Sequence, residues 1–543
     1  MIEVYFKGAI MSKEFIAACR KFGGRAASLV DARETYSSMS QEYRDFVPES
    51  VFTELMMEPS KGTFMMHDYE GGGVSGIKSG ATQFAGVRVN MELEPVDIPI
   101  DCYCKPNLDR LPSLEAVLIT RISPLHCLKN GVSEFDFFKM INEEMSLPST
   151  CNGGYNSAGY DDVMSRSGFF ANLLPVYDRE WKDGNTRWDF YRVAMAYYAL
   201  RPDGITWPEG KGDSPVSMKL EDIAAANDIV QENSHNAVDD VFAMIDVCRL
   251  FMRANRKLWD YLYINRTKAK VQSFVNHSLT QSQPLLYINP YAGASNRFTT
   301  VIMPLSCPLG DKNEVSFIDL RGDVDKLIKT PPNLVRELLF AKKEDLESSG
   351  EERPCLGKFK VNQIPLVIPF SVLRDEDSRE RLGVNMSVLK GAIEKIQSNL
   401  SELECTTMEV YRNQQHGDDN PYVEDQVYSA GFPAKMDSDA LLRIKNMTTD
   451  EIAQSPMSFY TPILNKLQDR LICLHSPEVA GEERMAEFKE ECKVKLSSPK
   501  DERVTISEVK DGLSTHENSE HEHVKSLVAD YREYLGWLED ALG

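Results

Sequence analysis

TFMMHDYE, residues 63–70, opens on the apolar residues Phe64, Met65 and Met66 and closes on two acids, Asp68 and Glu70. The apolar start predicts a buried strand, and in a strand alternate residues project from the same face. Asp68 and Glu70 are therefore placed to serve one metal cluster. Hard divalent ions such as magnesium or manganese prefer carboxylate and water oxygens. A pair of them about 4 Å apart can hold both the attacking and the leaving oxygen of a phosphodiester.

Two further acids and a histidine extend the pattern. Asp161 follows the turn-rich CNGGYNSAGY and precedes VMSRSGFF, which predicts a loop-to-helix junction. Asp240 stands directly before VFAMIDVCRLF, a stretch with the length and composition of a helix packed on a sheet. His235 lies five residues earlier, and on one ideal helix that spacing would set the two side chains about 140° apart. His235 is better placed on the loop before the helix, with Ser234 or Asn236 as caps. An imidazole there, with an unperturbed pKa of about 6.5, suits a general base. Taken singly, DYE also fits a solvated strand end, GYDD a turn, and His235 a surface histidine. The joint order points to metal-dependent phosphodiester hydrolysis.

Composition sets the frame. With 543 residues the chain has room for two to four domains. No apolar stretch approaches the roughly 20 residues that span a bilayer, and no signal-peptide pattern is visible, so a cytoplasmic protein is expected. Eleven cysteines without regular spacing fit reduced thiols. Cys102 and Cys104 form a CxC without a partner motif nearby, so a zinc site is the weaker reading. The net charge of −22 is unusual for a protein that holds DNA. Between Arg253 and Lys270, however, six cations face one acid, Asp260, with Trp259, Tyr261 and Tyr263 interleaved. That mixture suits sequence-tolerant binding of single strands. It equally fits a solvated helix face whose aromatics enter a core.

Four pieces follow along the chain. Residues 1–60 carry short helical patterns such as KEFIAACRKF but no evident core, and read as a docking segment or a product of start-site choice, with Met11 and Met57 as other starts. Residues 61–265 alternate strand and helix patterns. Residues 266–405 hold the β-like runs LLYINP, FTTVIMPL, VSFIDL and IPLVIPF, and residues 406–543 read as helical.

The blocks FMMHDYEGGG, CYCKPNLDRLPSLEAVLITRISP, GYNSAGYDDVMSR, ALRPDGITWPEG and HNAVDDVFAM resemble the bacterial exonuclease I family, within the DEDDh superfamily of 3′ to 5′ exonucleases. The resemblance implies an α/β RNase H-like exonuclease domain, an SH3-like β-barrel domain and a C-terminal helical domain. It implies processive 3′ to 5′ degradation of single-stranded DNA to 5′-mononucleotides in DNA repair and recombination, by a monomer using two magnesium ions, with manganese as a substitute. Asp68 would bridge the metals, Glu70 and Asp240 would complete the first site, Asp161 would hold the second, and His235 would be the base. Glu70, Arg166, Arg266 and Lys268 would contact substrate. Arg201 and Tyr261 would bind the acidic C-terminal tail of single-stranded DNA-binding protein. Where the family carries a threonine that helps seat the terminal nucleotide, this chain has Gly71, Gly72 and Gly73, expected as a mobile loop free to adopt positive φ. Asn236 and Arg121 also depart from the family pattern without removing a ligand. The alternatives are a DEDDh nuclease acting on RNA or short oligonucleotides, and a catalytically weak DNA-binding accessory protein.

Overall fold

The computed structural model describes residues 29–57, 62–229, 237–307, 309–412 and 420–543. They form two compact units, one from the residues up to Arg187 with 231–245 and 417–543, the other from 188–230 and 246–416. No helix among the described residues is long and apolar enough to cross a membrane.

One sheet is built on β1 (Thr63–Gly71), β2 (Ala81–Val89), β3 (Ile100–Tyr103), β4 (Thr150–Gly154) and β5 (Thr186–Asp189), in the order β3-β2-β1-β4-β5. β1 pairs antiparallel with β2 and parallel with β4. Its central place explains the unbroken apolar start: Phe64, Met65 and Met66 have no exposed surface. Alternation then divides the strand. Met65 and Tyr69 enter a core with Phe135, Phe138 and Ile141 of the Glu134–Met145 helix and Met164 and Phe169 of the Asp161–Ala171 helix. Asp68 and Glu70 take the other face.

The same core includes Leu441 and Ile444 of the Lys435–Ile444 helix and Leu464, Leu467 and Leu471 of the Pro462–His475 helix. The C-terminal segment is thus helical, as its composition predicts, and completes the hydrophobic core around the sheet. Each such side chain contributes about 1.5–3 kcal/mol on burial. A buried ionic network reinforces the join. Arg470 grips Asp109 through Nε at 2.9 Å and Nη2 at 3.1 Å, and Lys495 Nζ reaches Asp109 at 2.9 Å and also pairs with Glu424. Burial alone would raise the Asp109 carboxyl, but Arg470, Lys495 and Arg110 hold it well below the usual carboxylate range.

Residues 29–57 form three helices, Leu29–Ser37, Gln41–Phe46 and Glu49–Met57. Tyr36, Tyr43, Val47 and Phe52 pack there with Val96, against which Ile98 and Leu147 also lie. Tyr43 donates its hydroxyl to the Val96 carbonyl at 2.6 Å. The sequence shows no core in this segment because part of that core comes from residues far along the chain. KEFIAACRKF lies outside the described residues.

In the second unit β6 (Leu285–Ile288), β7 (Thr299–Pro304), β8 (Glu314–Asp319), β9 (Leu356–Lys360) and β10 (Leu366–Pro369) form a sheet in the order β10-β6-β7-β8-β9, every neighbouring pair antiparallel. Four of these strands fall on the β-like runs. β9, LGKFK, has no apolar run, since only Leu356 and Phe359 are buried in it. Val271 and Val275 of the Lys268–Gln281 helix close the core with Tyr287, Phe317 and Phe359. Trp259 follows the second of the two readings of its segment. It is not a face for bases but a core residue, 1% exposed, with its ring 4.8 Å from that of Trp188.

Removing the Arg470 guanidinium should leave Asp109 and Glu134 buried without their main cation. Arg470→Ala is expected to cost the first unit about 3–5 kcal/mol, read from its urea unfolding. Because Asp109 titrates lower in the folded chain, its stabilisation is present above the unfolded value near 4 and is lost as pH falls below it. The wild type should therefore lose stability in acid more steeply than Asp109→Asn.

Candidate active site

β1 delivers Asp68 and Glu70, and the Ala237–Ala254 helix delivers Asp240 from its first turn. One carboxylate oxygen from each lies within 4.8 Å of the others, and among the described residues no other acid, histidine or cysteine group of three does this. The strand spacing of two thus puts the acids on one face. Placing Asp240 at a helix N-terminus sets its negative charge where the helix dipole favours it. His235 lies outside the described residues.

Asp161 is the first residue of the Asp161–Ala171 helix and is 5% exposed. Its Oδ1 accepts the Tyr69 backbone N–H at 3.1 Å, which ties the helix start to β1 beside Asp68. Asp162 takes a different path. It accepts from Arg179 at 2.7 Å and from Arg187, while Glu180 pairs with Arg187 at 3.0 Å and with Arg166 at 2.8 Å. Of the two acids in GYDD, one therefore faces the carboxylate group and the other anchors the helix from behind. No sequence pattern links Asp162 to Arg179 and Arg187, so this buttress is visible only in three dimensions.

The electrostatics of the group are those of like charges confined together. Burial, followed by Asp161, Glu70 and Asp240, pushes the Asp68 carboxyl well above its usual range. Burial and then Asp240 raise Glu70 to about 7. A divalent cation relieves both effects, and an all-oxygen donor set is what magnesium and manganese take. The residues fit such an ion.

Gly71–Gly73 do not form the free loop expected of three glycines, and none of them has positive φ. Gly72 donates to the Gly80 carbonyl at 3.0 Å and accepts from Ser113 at 2.7 Å, and Tyr160 donates its hydroxyl to the Gly73 carbonyl at 2.7 Å. A Cβ on Gly72 would approach Ser79 O to 2.7 Å and Pro112 to 3.1 Å. Glycine is needed here for close approach. Neither Tyr160 nor this packing was signalled by the sequence.

Arg166, expected to contact substrate, also has its Nη1 3.3 Å from the Tyr428 hydroxyl. Arg266 and Lys268 belong to the second unit. The Arg266 guanidinium lies 3.5 Å from the Tyr263 ring centroid, and Lys268 Nζ donates to Asn313 at 2.6 Å. Arg201 ends the Phe190–Leu200 helix and donates to the Leu200 carbonyl at 2.5 Å, and Tyr261 is half-buried on the Arg256–Asn265 helix. Cys102 and Cys104 are buried free thiols, raised by that burial.

The chain matches the family model described as exonuclease over residues 65–248 and that described as exonuclease I SH3-like domain over residues 266–413. It is 32% identical over 397 residues to the exodeoxyribonuclease I of Haemophilus influenzae, covering 73% of this chain and 83% of that one. It resembles the zinc-ion-bound E. coli exonuclease I complex with single-stranded DNA, with TM-score 0.80, 27% identity, and coverage of 88% of this chain and 99% of that one. A structure of SSB/exonuclease I with the inhibitor CFAM gives TM-score 0.76 and 26% identity, covering 88% and 100%.

Glu70 must be ionised to bind a cation, so manganese affinity should rise about tenfold between pH 6 and pH 8, read by titration calorimetry. For the metal-free fold the sign is opposite. A raised carboxyl stabilises below its unfolded value of 4.5, and that contribution is lost as pH rises through about 7. Asp68→Asn should accordingly raise the metal-free melting temperature by about 2–4 °C at pH 8 and remove the manganese-induced increase.

Proposed function

We propose that this chain, which belongs to the exodeoxyribonuclease I family, shortens single-stranded DNA from its 3′ end by hydrolysing the terminal phosphodiester and releasing 5′-mononucleotides. The observation that carries the reading is the meeting of Asp68, Glu70 and Asp240 oxygens within 4.8 Å, with Asp161 bound to the backbone between the first two.

In this reading Asp68, Glu70 and Asp240 hold one divalent ion, and Asp68 with Asp161 holds a second. Magnesium is the expected ion and manganese its substitute. When bound, such ions stabilise negative charge on phosphate oxygens and acidify water. His235 takes the proton of the attacking water, a role its usual pKa near neutrality suits. Glu70 orients the 3′-terminal nucleotide, and Arg166, Arg266 and Lys268 offer cations to the phosphates that follow. The buttress of Arg179, Arg187 and Asp162 keeps the Asp161 helix in register, so the acids meet without rearranging when substrate arrives.

The piecewise organisation proposed is an extension over 1–60, the nuclease domain over 61–265, an SH3-like domain over 266–405 and a helical domain over 406–543. The chain is proposed to cleave one strand in successive steps in repair and recombination, as a monomer. Support for a single-stranded substrate comes from the likeness to the E. coli complex with single-stranded DNA. Likeness to the SSB/exonuclease I structure supports a partner interaction, and Arg201 and Tyr261 are the residues proposed to meet the SSB tail.

The test uses 3′-labelled and 5′-labelled single-stranded DNA, matched RNA and duplex, with magnesium or with EDTA. Magnesium-dependent loss of the 3′ label from single-stranded DNA is expected, falling on the order of 10³-fold in Asp68→Ala. Faster cleavage of RNA would replace the reading with a ribonuclease, and tight binding without cleavage would replace it with a DNA-binding accessory role.

A further inference from the structure

Glu70 is the last acid on β1, and the chain turns immediately after it. The pairing register with β2 slips between Glu70 and Gly71: Glu70 faces Gln83, whereas Gly71 faces Ala81. A turn that starts next to a working carboxylate, with three glycines in it, has to be held by something outside itself. Tyr160 does this. Its backbone carbonyl accepts the Met164 N–H at 2.8 Å, which opens the helix that carries Asp161 as its next residue. Its side chain reaches back to β1. A Cβ built on Gly71 would overlap the Tyr160 hydroxyl and lie 3.0 Å from its Cζ, so the phenol fills the volume a side chain at position 71 would take. The hydroxyl donates to the Gly73 carbonyl at 2.7 Å. The same ring lies within electrostatic reach of Asp161, Glu70 and Asp68.

Two independent observations therefore converge on one atom. The missing side chain at Gly71 makes room for the Tyr160 oxygen, and the Gly73 carbonyl accepts its hydrogen bond. We propose that Tyr160 is a positioning residue for 3′-end hydrolysis: its hydroxyl latches the Gly71–Gly73 turn, fixing where Glu70 and the backbone after it meet the 3′-terminal nucleotide. The inference rests on the nuclease reading above and adds a residue to it. Tyr160 contributes no metal ligand. It couples the start of the Asp161 helix to the turn that leaves Glu70, so one side chain links the carrier of Asp161 to the nucleotide seat.

The latch makes a distinctive prediction because its two halves can be altered separately. Tyr160→Phe keeps the ring and removes only the hydrogen bond. It should retain the wild-type melting temperature within about 2 °C and the wild-type manganese affinity within about twofold, while kcat/KM on single-stranded DNA falls about five- to tenfold, mainly through a higher KM for 3′ ends. Hydrogen exchange across residues 71–80 should speed up in the same variant. Gly71→Ala drives a methyl into the phenol oxygen and should lose more activity than Tyr160→Phe. Combining the two removes the overlapping oxygen, so Gly71→Ala/Tyr160→Phe should be more active than Gly71→Ala alone.

Unchanged kcat and KM in Tyr160→Phe, beside an active wild type, would overturn the latch and leave the nuclease reading standing. So would losses that simply multiply in the double variant. A parallel fall in melting temperature, metal affinity and kcat/KM would mean that Tyr160 only supports the fold, which also overturns the proposal. If the wild-type chain leaves single-stranded DNA intact under magnesium, the nuclease reading fails and the inference falls with it.

Discussion

Confining like charges is the constraint on which the first unit depends. Asp68, Glu70 and Asp240 oppose one another at short range, with Asp161 close by, and burial deepens the opposition. Such a group stays together only if its backbone carriers cannot relax. β1 is the middle strand of its sheet, flanked by β2 and β4, and two helices present their first residues to it. Behind Asp161 the buried pairing of Asp162 with Arg179 and Arg187 opposes any outward drift. A fold that fixes the carriers of these acids is preorganised to bind a cation.

The sheet that carries the acids is not closed by neighbouring sequence alone. The face of the sheet opposite the acids is covered partly by helices close in sequence and partly by side chains from residues 427–471. The Asp109, Arg470, Lys495 and Glu424 network sits at that junction with almost no exposed surface. Desolvating four charges is expensive, and replacement by apolar residues is often neutral or better for stability. What the ionic version adds is angular definition, since a guanidinium that donates to both carboxylate oxygens holds them in one orientation. The cover is thereby held in one register over the core that backs β1.

The site was legible in the sequence where its chemistry obeys a short period. Asp68 and Glu70 share a face because a strand repeats every two residues. Asp240 was found because an apolar helical stretch begins next to it, and Asp161 because a turn-rich run precedes it. The illegible parts depend on contacts between distant segments. Asp161 and Asp162 are neighbours with opposite duties, separated only by where Arg179 and Arg187 end up. Gly71–Gly73 read as freedom but are close-approach positions, because Tyr160 and Pro112 arrive from elsewhere. Trp259 sits among cations in sequence and against Trp188 in space. The helices over 29–57 looked coreless because Val96 and Leu147 supply part of their core.

Asp109 and its partner Arg470 are 361 positions apart. At a synthesis rate of about 5–20 residues per second, the ribosome needs roughly 20–70 s to travel between them. During that interval β1, with its apolar face and its acids, has been made but lacks the part of its cover that comes from residues 427–471. The nascent chain is therefore exposed to aggregation for far longer than its local folding steps require, and chaperones have a defined window in which to act. The cover that steadies the strand is thus made long after the strand itself.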